Sequence, residues 1–472
     1  MTTEARPDAA PWRDLFRDGR GLYTALIILG VSIHAQQTLV IAIIMPTVVA
    51  DLGGAAYYTW PAMLYTVGII IGAACVGPVW AALGRGRGFA AGGLIFLVAT
   101  IGCALAPDMA SLNIARTVQG VAGGLINGGC MELVSGLFTQ ARRKRILALT
   151  QIVWMASQLS GPVIGGVFAE IGWWRGSFWV MVPVILAFVV LAYVKLPKVA
   201  GDERAASHSA RFPLARLAML AAGVFAVGLA GPMENATFRI LFLIGAVVLV
   251  GGSLWSDRVA DNRLYPAGTL SISSPIGPAL WIFFAVGIVQ TTVTLLIPLL
   301  LQVVHGVTPI FVAFVSIVLS LGWTVSALVV SGWSGRRENI ALTVGPLLMM
   351  GALICLILTA QLPLLWLLTL AAAVFGAGMG IHYVPLVART MAKAAAGEER
   401  ITAAAMPSIR SLGTAFGAAS AGVLSTMAGL GEATDPTAVG NAVVFVFEVN
   451  LIPLAGAVLL MFWLVRLHAE KR

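Results

Sequence analysis

The sequence predicts an all-α integral membrane protein with fourteen transmembrane helices. Of its 472 residues, 59% are hydrophobic and only 10% are charged, whereas a soluble domain carries charge on about a quarter of its residues. Apolar stretches long enough to cross a bilayer as helices follow one another along the chain. The charged residues lie in the short breaks between these stretches. One membrane domain therefore explains the sequence better than several soluble domains.

The apolar stretches fall into three groups of six, two and six. The predicted spans are 22–50, 60–83, 89–106, 110–138, 146–169 and 176–196; then 214–231 and 237–255; and finally 276–302, 308–332, 339–360, 364–390, 401–429 and 441–465. Two six-helix halves favour an internal repeat of the kind that builds membrane proteins around a central cavity. The middle pair is expected to be an inserted hairpin that packs outside this core.

These groups divide the chain into five predicted segments. They are a cytoplasmic N-terminal tail (1–21), an N-terminal six-helix bundle (22–196), a linker with the inserted hairpin (197–275), a C-terminal six-helix bundle (276–465) and a cytoplasmic tail (466–472). The start of the chain carries Glu4, Asp8 and Asp14 and does not resemble a secretory signal peptide.

The positions of the basic residues predict the orientation. Basic loops stay on the cytoplasmic side of a membrane. With the amino terminus inside, all but four of the 29 Lys and Arg residues fall in cytoplasmic segments. Arg175 and Arg239 fall outside, and Arg116 and Arg410 lie within spans. Both termini are therefore expected in the cytoplasm, and the membrane is expected to be the cell's inner (plasma) membrane.

Composition also excludes other classes of protein. The net charge of +9 is spread among loops rather than clustered on one face, so the sequence does not predict a nucleic-acid partner. The four cysteines lie inside apolar segments without metal-ligand or disulfide-motif spacing. The polar segments contain no nucleophile beside a base and no phosphate-binding glycine loop. We therefore expect neither an enzyme nor a metal or organic cofactor.

Four local motifs resemble those of one transporter family. They are Arg116-Thr-Val-Gln119-Gly120, Gly161-Pro162-Val-Ile-Gly165-Gly166, Trp174-Arg175-Gly176-Ser-Phe178 followed by Pro183, and Arg410-Ser-Leu-Gly413-Thr-Ala-Phe-Gly417. With the span count and the inserted hairpin, they resemble the fourteen-helix drug:proton antiporter family of the major facilitator superfamily. The resemblance implies proton-coupled export by alternating access, with the proton as coupling ion. The chain departs from the family at Gln37, where an acidic residue usually stands nine positions before Pro46.

The Gly-Pro motif of the fifth span suggests a hinge or a helix seam. Pro162 removes one backbone hydrogen bond and lets the helix bend, and Gly161, Gly165 and Gly166 allow a neighbouring backbone to approach closely. We expect these residues to take part in gating. The alternative is that the small residues only pack helices together.

A polar stripe on the fourth span points to a cavity or a neighbouring helix. Arg116 and Asn127 are eleven positions apart and return to nearly one face of an ideal helix, with Gln119 close to that face. The side-chain amide of Gln37 is the expected partner of the Arg116 guanidinium, and all four residues are candidates for the substrate cavity. The alternative is an arginine that fixes the bundle without contacting substrate.

Two residues are candidates for proton coupling. Glu132 lies about 160° around the helix from Arg116, so the sequence predicts a carboxyl group in an apolar site without a cation. Such a group takes up a proton easily. His34 lies one turn before Gln37, and histidine titrates near physiological pH. The alternatives are a permanently protonated glutamic acid and a hydrogen-bonded core histidine.

The second half supplies further cavity candidates: Gln290, Gln302, His382 and Arg410. Buried amides and charges are costly in lipid, so such residues mark functional sites. For His382, packing between helices is the competing explanation. Trp60, Trp154, Trp281 and Trp323 fit either an apolar pocket or the membrane interface.

These observations favour a proton-coupled exporter of a small amphipathic or lipophilic compound. The expected partners are that small molecule and the lipid bilayer, and the protein is expected to be a monomer. Two intramembrane arginines against few intramembrane acids also suit uptake or facilitated transport of an organic anion. A non-transporting membrane sensor or enzyme is the alternative from a different class.

Overall fold

The structure is a computed structural model that describes residues 15–16, 21–138, 140–195, 213–233, 235–260, 262–433 and 435–469. Regular structure in these ranges is entirely helical. The predicted N-terminal tail up to residue 20 (except 15–16), the polar stretch Gly201 to Ser209 of the linker and the last three residues lie outside the described residues.

The first six predicted spans correspond to seven helices. They are α1 (Gly21–Leu52), α2 (Trp60–Ala74), α3 (Val76–Leu105), α4 (Met109–Leu137), α5 (Gln140–Glu170), α6 (Gly176–Trp179) and α7 (Val182–Lys195). Helices α6 and α7 together occupy the sixth predicted span.

The boundary between the second and third spans is tighter than predicted. Helix α2 stops at Ala74, and α3 contains the last part of the second predicted span as well as the third. The backbone of Gly84 is not helical (φ 76°, ψ 161°). The rings of Trp80 and Phe89, on either side of this glycine, lie 5.1 Å apart, although nine residues of straight helix cover about 13 Å. The chain therefore reverses direction at Gly84, because glycine tolerates a positive φ.

The inserted pair consists of α8 (Leu214–Ala230) and α9 (Ala236–Arg258). A buried ion pair between Arg216 and Asp257 joins the two helices at one end. Helix α8 packs on α2, where Gly228 faces the sulfur of Met63. Only Ala246, Ser253 and Asp257 of the 23 residues of α9 are buried.

The last six spans correspond to six helices, the first of which is extended by a π-helical turn. They are α10 (Gly277–Leu299) with the turn Leu300–Val304, α11 (Pro309–Val330), α12 (Arg336–Thr359), α13 (Leu365–Ala392), α14 (Glu399–Met427) and α15 (Pro436–Ala469). In the described ranges, ten helical segments are long and apolar enough to cross a membrane. Of the remaining spans, α2 and α8 are shorter, and α4 and α14 carry more polar residues. The predicted class, an all-helical membrane protein with fourteen helical spans, is confirmed.

The two halves are joined at the end where α1 finishes. There the Tyr58 hydroxyl donates to the Leu295 carbonyl (3.1 Å), and the Gln302 amide donates to the Ile43 carbonyl (3.0 Å). The backbone N–H of Ile310 donates to Glu170 at 3.3 Å. We call this the closed end. At the opposite end, the side chains of Arg85 and Glu132 are more than a third exposed.

Candidate functional site

Arg116 is completely buried at the centre of the first half. Its guanidinium donates to the Gln119 side chain (2.6 Å) and to the carbonyls of Pro61 (3.2 Å) and Gln37 (3.4 Å). It also lies 4.1 Å above the centre of the Tyr65 ring. Carbonyl dipoles and the negative face of an aromatic ring both stabilise a cation. Helices α1, α2 and α4 therefore meet around this single charge.

The predicted contact between Arg116 and the Gln37 side chain is wrong. The arginine contacts the backbone carbonyl of Gln37 and not its side chain. The Gln37 side chain is only 1% exposed, and neither its oxygen nor its nitrogen has a hydrogen-bond partner among the described residues. A buried amide without a partner is costly, so a polar ligand group would stabilise it.

Gln119 connects the arginine to a third helix. Its oxygen accepts from Arg116, and its nitrogen donates to the Thr100 hydroxyl on α3 at 2.8 Å. Arg116 and Gln119 therefore lie on one face of α4, as the predicted stripe requires. The pair also holds α4 against α3. Asn127 does not join it: the residue is half-buried, and no hydrogen bond reaches its side chain within the part of the chain that the structure describes.

His34 contacts the same tyrosine that lies under Arg116. Its Nδ1 is 2.9 Å from the Tyr65 hydroxyl, the two rings stack at 5.8 Å, and the edge of Trp154 lies 5.6 Å away. Tyr65 therefore lies between a titratable imidazole and a fixed positive charge. This arrangement allows protonation of His34 to affect the contacts of Arg116 through Tyr65.

The predicted absence of a cation near Glu132 is wrong. Arg85 approaches its carboxylate at 3.8 Å, and the Glu132 side chain is 37% exposed. The reversal at Gly84 explains the difference, because it places Arg85 beside α4. Glu132 thus lies at the end of the bundle opposite the closed end, and its side chain is only partly buried.

A second arginine site occupies the other half. Arg410 donates to the Gln290 side chain (2.8 Å), and its guanidinium lies 4.9 and 5.0 Å from the ring centres of Trp323 and Tyr383. His382 is buried next to Tyr383, with its Nδ1 2.8 Å from the Gly378 carbonyl. The structure therefore brings Gln290, Arg410 and His382 into one region.

The two halves repeat one set of residue types. Each contains an arginine that contacts a glutamine and a tyrosine ring, with a histidine beside the tyrosine. The sequence analysis does not single out Tyr65 or Tyr383. For Tyr383, the sequence offers one indication, since it follows His382 directly. For Tyr65 it offers none, because the neighbours of this residue come from other helices.

Gln302 lies outside this region. Its amide joins α10 to the Ile43 carbonyl of α1 at the closed end, so the structure places it in the contact between the halves. A place for Gln302 in the substrate cavity stays a prediction.

The glycines of α5 form a close contact with two helices. A Cβ atom on Gly161 would lie 2.9 Å from Leu39, and one on Gly165 would lie 3.1 Å from Ile43, both on α1. On Gly166 it would lie 2.9 Å from the Ala313 side chain of α11. Pro162 stands inside the continuous helix between them. The cluster is a seam, and through Gly166 it extends to the other half of the protein.

Gly166→Ala is expected to separate the halves at the closed end, because the added methyl group would also come within 3.1 Å of the Pro309 carbonyl. The measurement is the distance between spin labels at positions 171 and 362, in a variant without native cysteines. We expect a longer mean distance or a new, longer component. Gly245→Ala is the matched control, since that position has open space. Unchanged distances in Gly166→Ala would contradict the seam.

Asp51 is a residue that the sequence analysis misses. Its carboxylate accepts from the Trp174 indole (3.0 Å) and from Arg175 (2.5 Å), and Arg175 also donates to the Ala106 carbonyl at 3.0 Å. The Trp-Arg motif thus joins the ends of α1 and α3 to α6. Its position beside the closed end indicates a structural role.

The chain resembles a family model and several known proteins. The model of the Major Facilitator Superfamily matches residues 25–418. The chain belongs to this superfamily. A probable multidrug-efflux transporter of Mycobacterium tuberculosis is 29% identical over 442 residues, which cover 91% of this chain and 93% of that protein. The efflux pump dotC of Dothistroma septosporum is 26% identical over 66% of this chain and 54% of that protein.

Solved structures of the Major Facilitator Superfamily share the fold. A bacterial homologue of the human lysosomal transporter Spinster, in an inward-facing and unoccupied conformation, aligns with a TM-score of 0.63 at 14% identity. The alignment covers 97% of this chain and 99% of that one. Membership of the superfamily makes the protein a multi-pass integral membrane protein and a secondary transporter, in a family of transporters rather than enzymes. Its partners are a small-molecule substrate and the lipid bilayer.

Proposed function

We propose that the protein exports a small amphipathic or lipophilic organic compound in exchange for protons. The relatives whose names describe efflux support the direction and the substrate class. The distribution of basic residues supports an inner-membrane location with both termini in the cytoplasm. In this orientation the closed end faces away from the cytoplasm, and the site between the halves opens toward it.

The proposed coupling between proton binding and transport rests on one observation, which is that His34 and Arg116 contact the same tyrosine. Neutral His34 shares a hydrogen bond with Tyr65, whose ring face supports the Arg116 guanidinium. A proton on His34 adds a second positive charge to this buried region. Two like charges in a medium of low dielectric repel strongly. With His34 protonated the region carries two positive charges, so it binds a cationic substrate less well than it does with His34 neutral.

The free amide of Gln37 gives the substrate a polar contact. It lies one turn from His34 on the same helix and is buried without a partner. A ligand donor or acceptor that satisfies this amide would bind next to the titrating group. Proton and substrate would then compete for one region, as exchange requires.

Glu132 is proposed as a second coupling group, for a different reason from the one that the sequence suggested. Its carboxylate lies 3.8 Å from Arg85, so a proton on Glu132 would weaken this ion pair and loosen the contact between α3 and α4. The pair lies at the end that must close when the closed end opens.

Glu132→Gln is expected to abolish uphill transport and to leave substrate binding intact, because glutamine keeps the shape but cannot exchange a proton. The measurement is compound accumulation in proteoliposomes with an imposed pH gradient, paired with equilibrium binding to purified protein. Glu132→Asp, which can still titrate, is the matched control and should retain part of the activity. Gradient-driven transport by Glu132→Gln at the wild-type rate would remove Glu132 from the coupling role.

One observation favours the second candidate function, transport of an organic anion. Arg410 is only partly buried and donates to a single side chain, Gln290, between two aromatic rings, so it retains N–H groups for a carboxylate. The same proteoliposomes separate the two functions. An exporter of the proposed kind loses accumulation when the pH gradient is collapsed. An anion facilitator equilibrates its substrate at the same rate with or without the gradient.

A further inference from the structure

A large cavity lies between α2, α4 and the inserted helix α8. Its volume is about 1050 Å³, the size of a pocket for a drug-sized ligand. Trp60, Leu64, Val67 and Ile71 line it from one face of α2, whereas Tyr65 on a neighbouring face contacts His34. The inserted helix α8 forms the opposite wall. The cavity is therefore separate from the site between the two halves.

The cavity is long and has one polar end. Its wall on α2 runs from Trp60 to Ala74, which corresponds to about 21 Å of helix. Asp108 and Asn113 lie at the closed end, and Leu214 and Ala74 lie at the far end. Among the described residues that line the cavity, Asp108 is the only charged one. The shape and polarity match a molecule with one polar head and one apolar tail.

Asn113 supplies an independent indication of a ligand. Its side chain lines the cavity and is only 7% exposed, and its oxygen Oδ1 has no hydrogen-bond partner among the residues that the structure describes. A buried polar atom without a partner costs free energy that a ligand donor would recover. The residue lies between the Asp108 carboxylate and the apolar part of the cavity.

The polar end favours a positive charge. Asp108 begins α4 and accepts from the Ser111 N–H at 2.7 Å. Hydrogen bonds from Ser111 lower the pKa of Asp108, so the carboxylate is ionised at neutral pH. Trp60, which also lines the cavity, contacts the rings of Tyr57 (5.0 Å) and Phe225 (6.2 Å). Aromatic faces beside a carboxylate attract an ammonium group and disfavour a lipid phosphate.

We propose that this cavity binds one single-chain amphipathic cation, with its ammonium head at Asp108 and Asn113 and its tail along α2 and α8. The site is independent of the proposed transport mechanism, because it lies outside the region between the halves. Binding is therefore expected even in a variant that no longer moves protons.

The test uses dodecylammonium as probe and the full chain in nanodiscs, with bound molecules counted by native mass spectrometry. Ala222→Trp is expected to weaken binding at least about tenfold, which corresponds to about 1.4 kcal/mol, because Ala222 is exposed to the cavity. Ala215→Trp is the matched control on the same helix: it is exposed but does not line the cavity. It should bind like the wild type.

The second arm changes the charge without changing the shape. Asp108→Asn keeps a residue that caps helices well but removes the negative charge, and should weaken dodecylammonium binding while leaving dodecanol binding unchanged. Dodecyltrimethylammonium, which lacks an N–H donor, should bind more weakly than dodecylammonium to the wild type, and this difference should vanish in Asn113→Leu. These comparisons remain informative if Ala222→Trp fails to fold.

Three outcomes would overturn the proposal. Equal binding by Ala222→Trp and the wild type would place the probe elsewhere. Equal or tighter binding of dodecyl sulfate would contradict the charge preference. A phospholipid that stays bound to the wild type, resists displacement by the probe and is lost in Ala222→Trp would make the cavity a structural lipid site.

Discussion

Arg116→Leu is expected to abolish transport and to lower the melting temperature. The substitution leaves the Gln119 oxygen and the carbonyls of Pro61 and Gln37 without the donor that they now share. A buried acceptor that loses its donor costs about 1–3 kcal/mol. The Tyr65 ring also loses the cation above it. Thermal unfolding in detergent and transport in proteoliposomes measure the two effects.

Two further variants show whether the cause is the guanidinium itself. Arg116→Lys keeps the charge but reaches fewer acceptors than the planar guanidinium, so it should recover stability only in part. Arg258→Leu is the matched control, because this arginine is exposed at the end of α9, and it should behave like the wild type. An Arg116→Leu protein with wild-type stability and transport would contradict the central place given to this residue.

His34→Gln is expected to uncouple transport from the proton gradient. Glutamine can still hydrogen-bond the Tyr65 hydroxyl but does not titrate near neutral pH. For one-to-one exchange, one pH unit supplies about 1.4 kcal/mol and sustains about tenfold accumulation. The variant should equilibrate the compound without accumulating it. Accumulation measured against pH gradients of increasing size would show a flat response.

The controls for His34→Gln separate protonation from packing. His305→Gln changes a histidine that contacts the Ala360 carbonyl outside this network, and should keep full coupling. Tyr65→Phe removes only the hydroxyl between His34 and the Arg116 site, and should weaken coupling without loss of folding. If His34→Gln accumulates compound as the wild type does, the coupling proton binds elsewhere.

The sequence predicted the helical spans well because bilayer thickness fixes their length. Every predicted span has a helical counterpart. The reversal at Gly84 lies between the second and third predicted spans, where Arg85 and Arg87 interrupt the apolar sequence. The break at Cys75 shows the limit of this reasoning, because apolar residues continue from α2 into α3 without interruption.

The site was predicted less completely because it depends on contacts between helices. Arg116 with Gln119, and Arg410 with Gln290, could be found because buried polar groups need partners. The angle between two residues of a helix gives their positions around its axis. It does not tell which helix packs against them, or where along the axis the contact lies. For that reason the sequence predicted the side chain of Gln37, instead of its backbone carbonyl, as the partner of Arg116. It also predicted that no cation lies near Glu132.

Proton movement driven by the transported compound tests the central claim most directly. Proteoliposomes with equal pH on both sides and a pH-sensitive dye inside receive a concentration gradient of the compound. Exchange predicts that protons move in the opposite direction to the compound, in the wild type and in His305→Gln but not in His34→Gln. Movement of the compound without any dye response in the wild type would contradict the account.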